Sequence, residues 1–312
     1  MTGPDRIRRP RPGLQRAAVG DFARGHVDDV DSARLSRRLL IDTIRHLEPF
    51  RESLTVIGAH AVFARVQDVL PDMVMPSTKD ADLAVNPEFV APQPVILELL
   101  AAAGLEPASP DRPGIYGYAN ESARPQWDRT TIDLLVPAAY AGAGRRAARI
   151  TGQKNAATKA EGIELALHDR SAMVLTPLPG DPDRDPVEVM VAGHAALLVA
   201  KAYKVRDRVA DYDNRPYRLR AKDSVDVGLL MLASDPEDAA ETMRRVCVER
   251  PEISGMAAEA ARVIVSQYLH DASGIVRVDL LEGVQQLVGA DVAERIDSWL
   301  RRFDDASRHW RG

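Results

Sequence analysis

The sequence predicts an α+β fold, in which a small mixed sheet with its own helices precedes a mostly helical C-terminal region. Helix-like and strand-like segments alternate over residues 31–140, and strand-like segments continue to residue 190. Helical segments dominate after that point, and 312 residues are enough to build both regions. We therefore divide the chain into 1–30, a flexible basic arm; 31–190, a sheet domain with a strand-rich extension over 141–190; and 191–312, a helical C-terminal domain.

The first predicted elements alternate between helix and strand. Apolar residues near helical spacing follow Asp31 and Ser32, which suit a helix N-terminus. The segment "LTVIGAHAVFARVQDVL" then indicates a short strand, a glycine and a helix, and "DADLAV" indicates the next strand. A further helix in "QPVILELLAAAGLE" ends at Gly104. A third strand, "TTIDLLVP", closes at Pro137.

The middle of the chain predicts more strands before the helical region begins. Both "IELALHD" and "AMVLTPL" have strand character, and "VEVMVA" is a further short strand. The following segment, "GHAALLVAKAYKVRDRVADYD", predicts a long helix that opens the C-terminal region.

Composition excludes several classes of protein. The net charge is −5, so any contact with nucleic acid must come from a local basic patch. The single cysteine excludes an internal disulfide and a cysteine-based zinc site. No apolar run approaches the roughly 18 residues of a membrane span, and no signal-peptide pattern is visible. We expect a cytoplasmic protein without a membrane partner, whose arginine-rich arm is either a solvated tail or a nucleic-acid contact.

Two aspartates share one face of a predicted strand. Side chains alternate along a strand, so Asp80 and Asp82 point the same way, with Cα atoms roughly 6.5 Å apart. Asp133 occupies an equivalent place on the third strand and joins them if the two strands are neighbours. Three unpaired carboxylates repel one another, and Mg²⁺, which prefers oxygen ligands, removes that penalty. The pattern therefore predicts a site for metal-assisted phosphoryl transfer.

A strand–glycine–helix corner lies about 20 residues upstream of these aspartates. Gly58 in "VIGAHA" ends the strand, and the backbone N–H groups at the start of the helix suit a phosphate. A plain tight turn is the alternative role for this glycine.

A basic segment follows in the C-terminal region. Residues 194–222 carry eight Lys or Arg against three Asp. Lys201, Lys204 and Arg208 fall within about 60° of one another on a helix. A solvated helix face is the alternative, but Lys201 lies within the apolar run "AALLVAKAYKV", where a cation needs a partner.

Together, "VIGAHAV", "STKDADLAV" and "TTIDLLVP" resemble the nucleotidyltransferase superfamily of the polymerase-beta type. The second half, "VAGHAALLVAKAYKVRDR" followed by "RAKDSVDVGLL", is similar to the AbiEii-type toxin nucleotidyltransferases of type IV toxin–antitoxin systems. The resemblance covers roughly residues 50 to 232. It implies Mg²⁺-dependent transfer of a nucleoside monophosphate from an NTP to an RNA acceptor such as a tRNA 3′ end. It also implies a toxin role with a separately encoded antitoxin.

The resemblance also implies roles for individual residues. Metal ligands are Asp80, Asp82 and Asp133, and further catalytic candidates are Lys201 and Asp223. Candidates for nucleotide binding are Gly58, Ala59, His60, Thr78, Lys79, Lys201, Lys204, Arg208 and Lys222. We expect Lys201 to neutralise the triphosphate and Asp223 to orient Lys201 through an ion pair. An ordinary acidic first helical turn is the alternative for Asp223.

The sequence departs from the family pattern at the corner. Ala59 stands where the family has Gly or Ser, so the hydroxyl that often contacts a phosphate is absent. His60 is the candidate that substitutes for it, and a histidine packed at the start of the helix is the alternative. Two other functions therefore stay open: nucleotidyl transfer to a small molecule such as an antibiotic, and a non-catalytic protein that binds a nucleotide or a protein partner.

Overall fold

One mixed sheet forms the first part of the molecule. The computed structural model describes residues 27–109, 111–122, 128–144, 146–181, 184–289 and 291–311. Its strands are β1 (Leu54–Ile57), β2 (Asp80–Val85), β3 (Leu105–Pro107), β4 (Ile115–Tyr118), β5 (Thr131–Pro137), β6 (Thr158–Ala160), β7 (Arg170–Leu175) and β8 (Val187–Ala192). The order across the sheet is β3-β4-β5-β2-β1-β8-β7, and β6 pairs with the end of β5.

Helices surround the sheet and build the C-terminal part. They are α1 (Val27–His46), α2 (Gly58–Val66), α3 (Ile96–Ala102), α4 (His194–Ala210), α5 (Ala221–Leu232), α6 (Pro236–Glu249), α7 (Ser254–Ile264), α8 (Ile275–Val288) and α9 (Ala293–Ser307). A π-helical segment, Val265–His270, continues α7. Together with the mixed sheet, these helices confirm the predicted α+β fold.

The central strand of the sheet is β2. It runs parallel to β5 on one side and antiparallel to β1 on the other, and β1 runs parallel to β8. Leu83 on this strand is completely buried. Burying a leucine side chain stabilises a fold by roughly 1.5–3 kcal/mol, so central strands favour such residues. The carboxylates of the same strand lie on its other face, which needs a separate explanation.

Helix α2 connects the sheet to the helical region. It leaves β1 directly at Gly58 and packs against β1 and β2 as well as α4 and α5. Helix α1 crosses β2, β5 and β8. A single hydrophobic core includes buried residues of the sheet and of the C-terminal helices. The elements that carry the predicted site residues therefore belong to one packed body.

Several predicted elements are confirmed and others are wrong. The strand–glycine–helix corner, the strands in "DADLAV", "TTIDLLVP", "AMVLTPL" and "VEVMVA", and the helix ending before Gly104 are present. The predicted strand in "IELALHD" is instead a 3₁₀ turn at Glu164–Leu167, where every residue is buried. A continuous apolar run is compatible with a strand or with a helical turn, because it shows neither the two-residue period of a strand nor the 3.6-residue period of a helix. The short strands β3, β4 and β6 were not predicted.

The ends of the described chain limit two other predictions. The first helix begins by Val27 rather than at Asp31, so it takes in part of the predicted arm. Residues 1–26 of that arm lie outside the described residues. No helix among the described residues is both long and apolar enough to cross a membrane.

Candidate active site

The three predicted aspartates lie on two adjacent strands. Asp82 on β2 is the direct register partner of Asp133 on β5, and the two strands run parallel. Asp80 lies two residues earlier on β2, so its side chain points to the same face. The two strands are therefore neighbours, which is the condition on which the predicted cluster of Asp80, Asp82 and Asp133 depended.

Glycine at position 58 is required by the carboxylate beside it. Ile57, the last residue of β1, is the register partner of Asp82, so Gly58 begins α2 next to that aspartate. A β-carbon at Gly58 would lie 2.0 Å from Asp82 Oδ2, and φ is +69°. Any larger residue would displace the carboxylate and adopt a strained backbone. Ile57 carries no polar side chain to cap α2, so the helix directs open N–H groups toward this corner.

The three carboxylates have different affinities for protons. Burial, followed by repulsion from Asp80, raises the pKa of Asp82 to about 6. Burial, followed by repulsion from Asp82 and Asp80, raises the pKa of Asp133 to about 8. Burial also disfavours ionisation of Asp80, but a hydrogen bond from Thr78 and the charge of Lys222 outweigh it and lower the pKa. The cluster therefore carries less than three negative charges near neutral pH when no cation is present.

Helices α4 and α5 hold the basic residues in two ion-paired layers. Lys201 Nζ lies 2.5 Å from Asp226 Oδ2, and both side chains are almost fully buried. Asp223 instead pairs with Lys204, at 3.3 Å, and with Arg208. The predicted ion pair between Asp223 and Lys201 is therefore wrong. Helices α4 and α5 run antiparallel. Lys204, one turn after Lys201 on α4, therefore meets Asp223, one turn before Asp226 on α5, and Lys201 lies opposite Asp226.

Lys204, rather than Lys201, extends toward the carboxylates. The side chain of Lys204 is 46% exposed, whereas that of Lys201 is 7% exposed. Burial and mutual repulsion raise the pKa values of Asp82 and Asp133, and among the nearby cations Lys204 opposes that rise most for both. Although nearly half of the side chain is exposed, desolvation by the protein around the ammonium group, followed by the charge of Lys201, lowers the pKa of Lys204 to about 8. A ligand entering the site would thus meet Lys204 before Lys201.

Two of the other three candidates support the strand that carries the carboxylates. Lys222 Nζ donates to the carbonyl oxygen of Ser77 at 2.8 Å and so ties α5 to the loop before β2. Thr78 Oγ1 donates to Asp80 Oδ1 at 2.7 Å. Lys79 Nζ lies 2.8 Å from Asp128 Oδ1. Lys222 and Thr78 therefore orient the carboxylate strand, while Lys79 is occupied in a separate surface ion pair.

The side chain of His60 is packed inside the fold, which is the alternative that the sequence left open for it. His60 is completely buried, and its Nε2 lies 3.0 Å from Ser36 Oγ. Ser36 also donates to the carbonyl oxygen of Thr78 at 2.9 Å. The imidazole therefore packs between α1 and α2, and only the backbone N–H groups at the start of α2 are available to a phosphate. Ala59 lines a small pocket together with Lys222 and Asp226.

The donor chemistry of the aspartates fits a divalent cation. Within the described part of the chain, no group of three or more His, Cys, Asp or Glu side chains has the geometry to hold a metal ion as it stands. The aspartates nevertheless interact strongly enough to raise two of their pKa values. A hard cation would remove that repulsion and would find only oxygen donors here. Asp80, Asp82 and Asp133 are the residues that would hold it.

Asp226 is the site residue to which the sequence assigned no role. It lies four residues after Lys222, so both project from one face of α5. Lys201, a cation within the apolar run of α4, indicated that an acidic partner is needed. The positions along α5 alone did not show whether that partner is Asp223 or Asp226.

No protein-family model matches the chain, and no curated protein matches it.

The buried pair of Lys201 and Asp226 makes a prediction about stability. Lys201→Met leaves the Asp226 carboxylate buried without its cation, and we expect a loss of about 3–5 kcal/mol in the free energy of unfolding. Lys201→Met combined with Asp226→Leu should recover most of that loss. Urea unfolding measures both, and Lys79→Met, at a surface pair, is the control with an effect below about 1 kcal/mol. A double variant as unstable as the single one would contradict this reading.

The raised pKa of Asp133 predicts how stability depends on pH. Its folded pKa, about 8, lies above the unfolded value of about 4, so stability without metal falls as pH rises between them. Asp133→Asn cannot ionise and should escape this loss. We expect the variant to be more stable than the parent by about 1–3 kcal/mol at pH 8, with most of that advantage gone at pH 5. Urea unfolding in a chelator at both pH values tests this, and an equal effect of the substitution at both would refute it.

Proposed function

We propose that the chain is a metal-dependent nucleotidyltransferase, which moves a nucleoside monophosphate from an NTP to an acceptor hydroxyl. One observation carries the proposal: Asp80, Asp82 and Asp133 share one face of adjacent strands, and Asp82 rests against Gly58. Carboxylates crowded in this way destabilise the fold unless they hold a cation. The open N–H groups of α2 and the cations of α4 lie beside them, which suits a phosphate ester.

The protein residues have separate tasks in the proposed reaction. Mg²⁺ bound by the three aspartates would neutralise the charge on the transferred phosphate. The acceptor oxygen attacks the α-phosphorus, and its proton passes to a carboxylate oxygen of Asp133. The bond from the α-phosphorus to the bridging oxygen breaks, and pyrophosphate leaves with that electron pair.

The cations of α4 have two proposed roles: some contact the triphosphate, and one supports the packing of α4 against α5. We propose that Lys204 contacts the triphosphate, because its side chain is 46% exposed and acts on the carboxylates. Arg208, which also pairs with Asp223, stands one turn further along α4 and supplies a second charge for the leaving pyrophosphate. Lys201 holds α4 and α5 in register through Asp226. This revises the expectation that Lys201 itself neutralises the triphosphate, since its side chain is almost fully buried.

RNA is the acceptor class that we propose. The basic segment 194–222 carries Lys204 and Lys222, whose charges act on Asp80 and Asp82, and it includes an arginine-rich loop, which favours an extended polyanion over a small acceptor. The toxin role and the antitoxin partner follow only from the family resemblance and stay predictions.

A transfer assay tests the proposed function. Protein, Mg²⁺ and each labelled NTP are incubated with total cellular RNA, and label in RNA is measured after gel separation. Asp82→Asn should lower the rate by more than about 100-fold, since even outer partners of a metal site cost 10–100-fold. Asp68→Asn, a change at an exposed aspartate beyond α2, should keep the parental rate. Normal Mg²⁺-dependent labelling by Asp82→Asn would disprove the metal assignment.

A further inference from the structure

An exposed tyrosine stands among arginines in the loop between α4 and α5. Tyr217 is 74% exposed, although burying a tyrosine ring usually stabilises a protein. Arg215, Arg218 and Arg220 lie within three residues of it. Single exposed apolar residues are common on proteins, so exposure alone does not indicate function. Two further features distinguish Tyr217: the ordered loop that carries it and the position of that loop beside the site.

The loop holds the ring on an ordered turn. Pro216–Arg218 form a 3₁₀ turn, in which the backbone N–H of Arg218 donates to the carbonyl oxygen of Arg215 at 3.0 Å. The guanidinium groups of Arg215 and Arg218 both contact Asp211 Oδ2, at 2.9 and 2.8 Å. Leu219 packs against the hydrophobic core directly after the turn. A ligand that stacks on Tyr217 would therefore meet a preorganised surface and lose little entropy in ordering it.

The loop also borders the candidate active site. It joins the end of α4, which carries Lys204 and Arg208, to the start of α5, which carries Lys222 and Asp223. Burial lowers the pKa of Arg208 to about 10, and the charges of Arg220, Arg218 and Asp80 also act on it. One guanidinium group thus lies within electrostatic range of both the arginine loop and a carboxylate of the site.

We propose that Tyr217 is a stacking platform for an unpaired base near the acceptor end of a single-stranded RNA. An exposed aromatic ring flanked by arginines is the combination that binds single strands: the ring stacks on a base, and the guanidinium groups contact phosphates. A small acceptor would leave both the ring and the outer arginines unused. The inference rests on the proposed transfer to RNA and names the part of the protein that selects an unpaired end.

The test measures binding without transfer. The probe is a 12-nucleotide single-stranded RNA with 2-aminopurine at its 3′ end, added without NTP so that no transfer takes place. Fluorescence quenching reports stacking, and anisotropy gives the dissociation constant. Tyr217→Leu should weaken binding by about 5- to 150-fold and remove most of the quenching. Tyr217→Phe should keep both, because the ring is what stacks.

Two matched variants separate stacking from other effects. Arg218→Ala with Arg220→Ala should lower the salt dependence of binding by about 1.4 in slope, whereas Tyr217→Leu should leave it unchanged. Phe89→Leu changes another exposed aromatic ring, 55% exposed after β2, and should have no effect. Unchanged affinity and quenching in Tyr217→Leu, or an equal loss in Phe89→Leu, would overturn the platform.

The outcomes also separate this inference from the proposed function. Tyr217-dependent quenching in a protein that labels no RNA would support stacking on single-stranded RNA and refute the proposed transfer to RNA. RNA labelling by a protein whose binding ignores Tyr217 would support the transferase and refute the platform.

Discussion

Repulsion among three carboxylates is the constraint on which the site depends. The pairing of β2 with β5 fixes Asp82 opposite Asp133, and the pleat adds Asp80 to the same face. Gly58 leaves the space into which the Asp82 carboxylate fits. A fold stabilised only by burial would place apolar residues at these positions, as it does at Ala81 and Leu83 on the opposite face. The arrangement therefore reduces stability locally and creates a place for positive charge.

The basic residues of α4 and α5 form two layers that oppose this repulsion. The inner layer, Lys201 with Asp226, is buried and neutral overall, so it fixes the register of α4 and α5. The outer layer contains Lys204 and Arg208, which share Asp223 as a partner. Two cations for one carboxylate leave an excess of positive charge at the mouth of the site. This excess of positive charge favours an anionic ligand such as a triphosphate.

The sequence was sufficient for the features that depend on local periodicity. The alternation in "DADLAV" and "TTIDLLVP" predicted which aspartates share a face, and Gly58 marked the corner. It was not sufficient where the answer depends on packing between elements. Whether Asp223 or Asp226 meets Lys201 depends on the antiparallel register of two helices, and the burial of His60 depends on Ser36 of α1. The short strands β3, β4 and β6 have three or four residues each and too little pattern to be recognised.

Cation binding shows whether the three aspartates form a metal site. Mn²⁺ accepts the same oxygen ligands as Mg²⁺, and electron paramagnetic resonance distinguishes its free and bound forms. We predict that the parent chain binds Mn²⁺ and that Asp68→Asn, the control, binds it equally. Asp82→Asn combined with Asp133→Asn should lose that binding while circular dichroism shows an intact fold. A parent that binds no Mn²⁺, or a folded double variant that binds it as the parent does, would contradict the account.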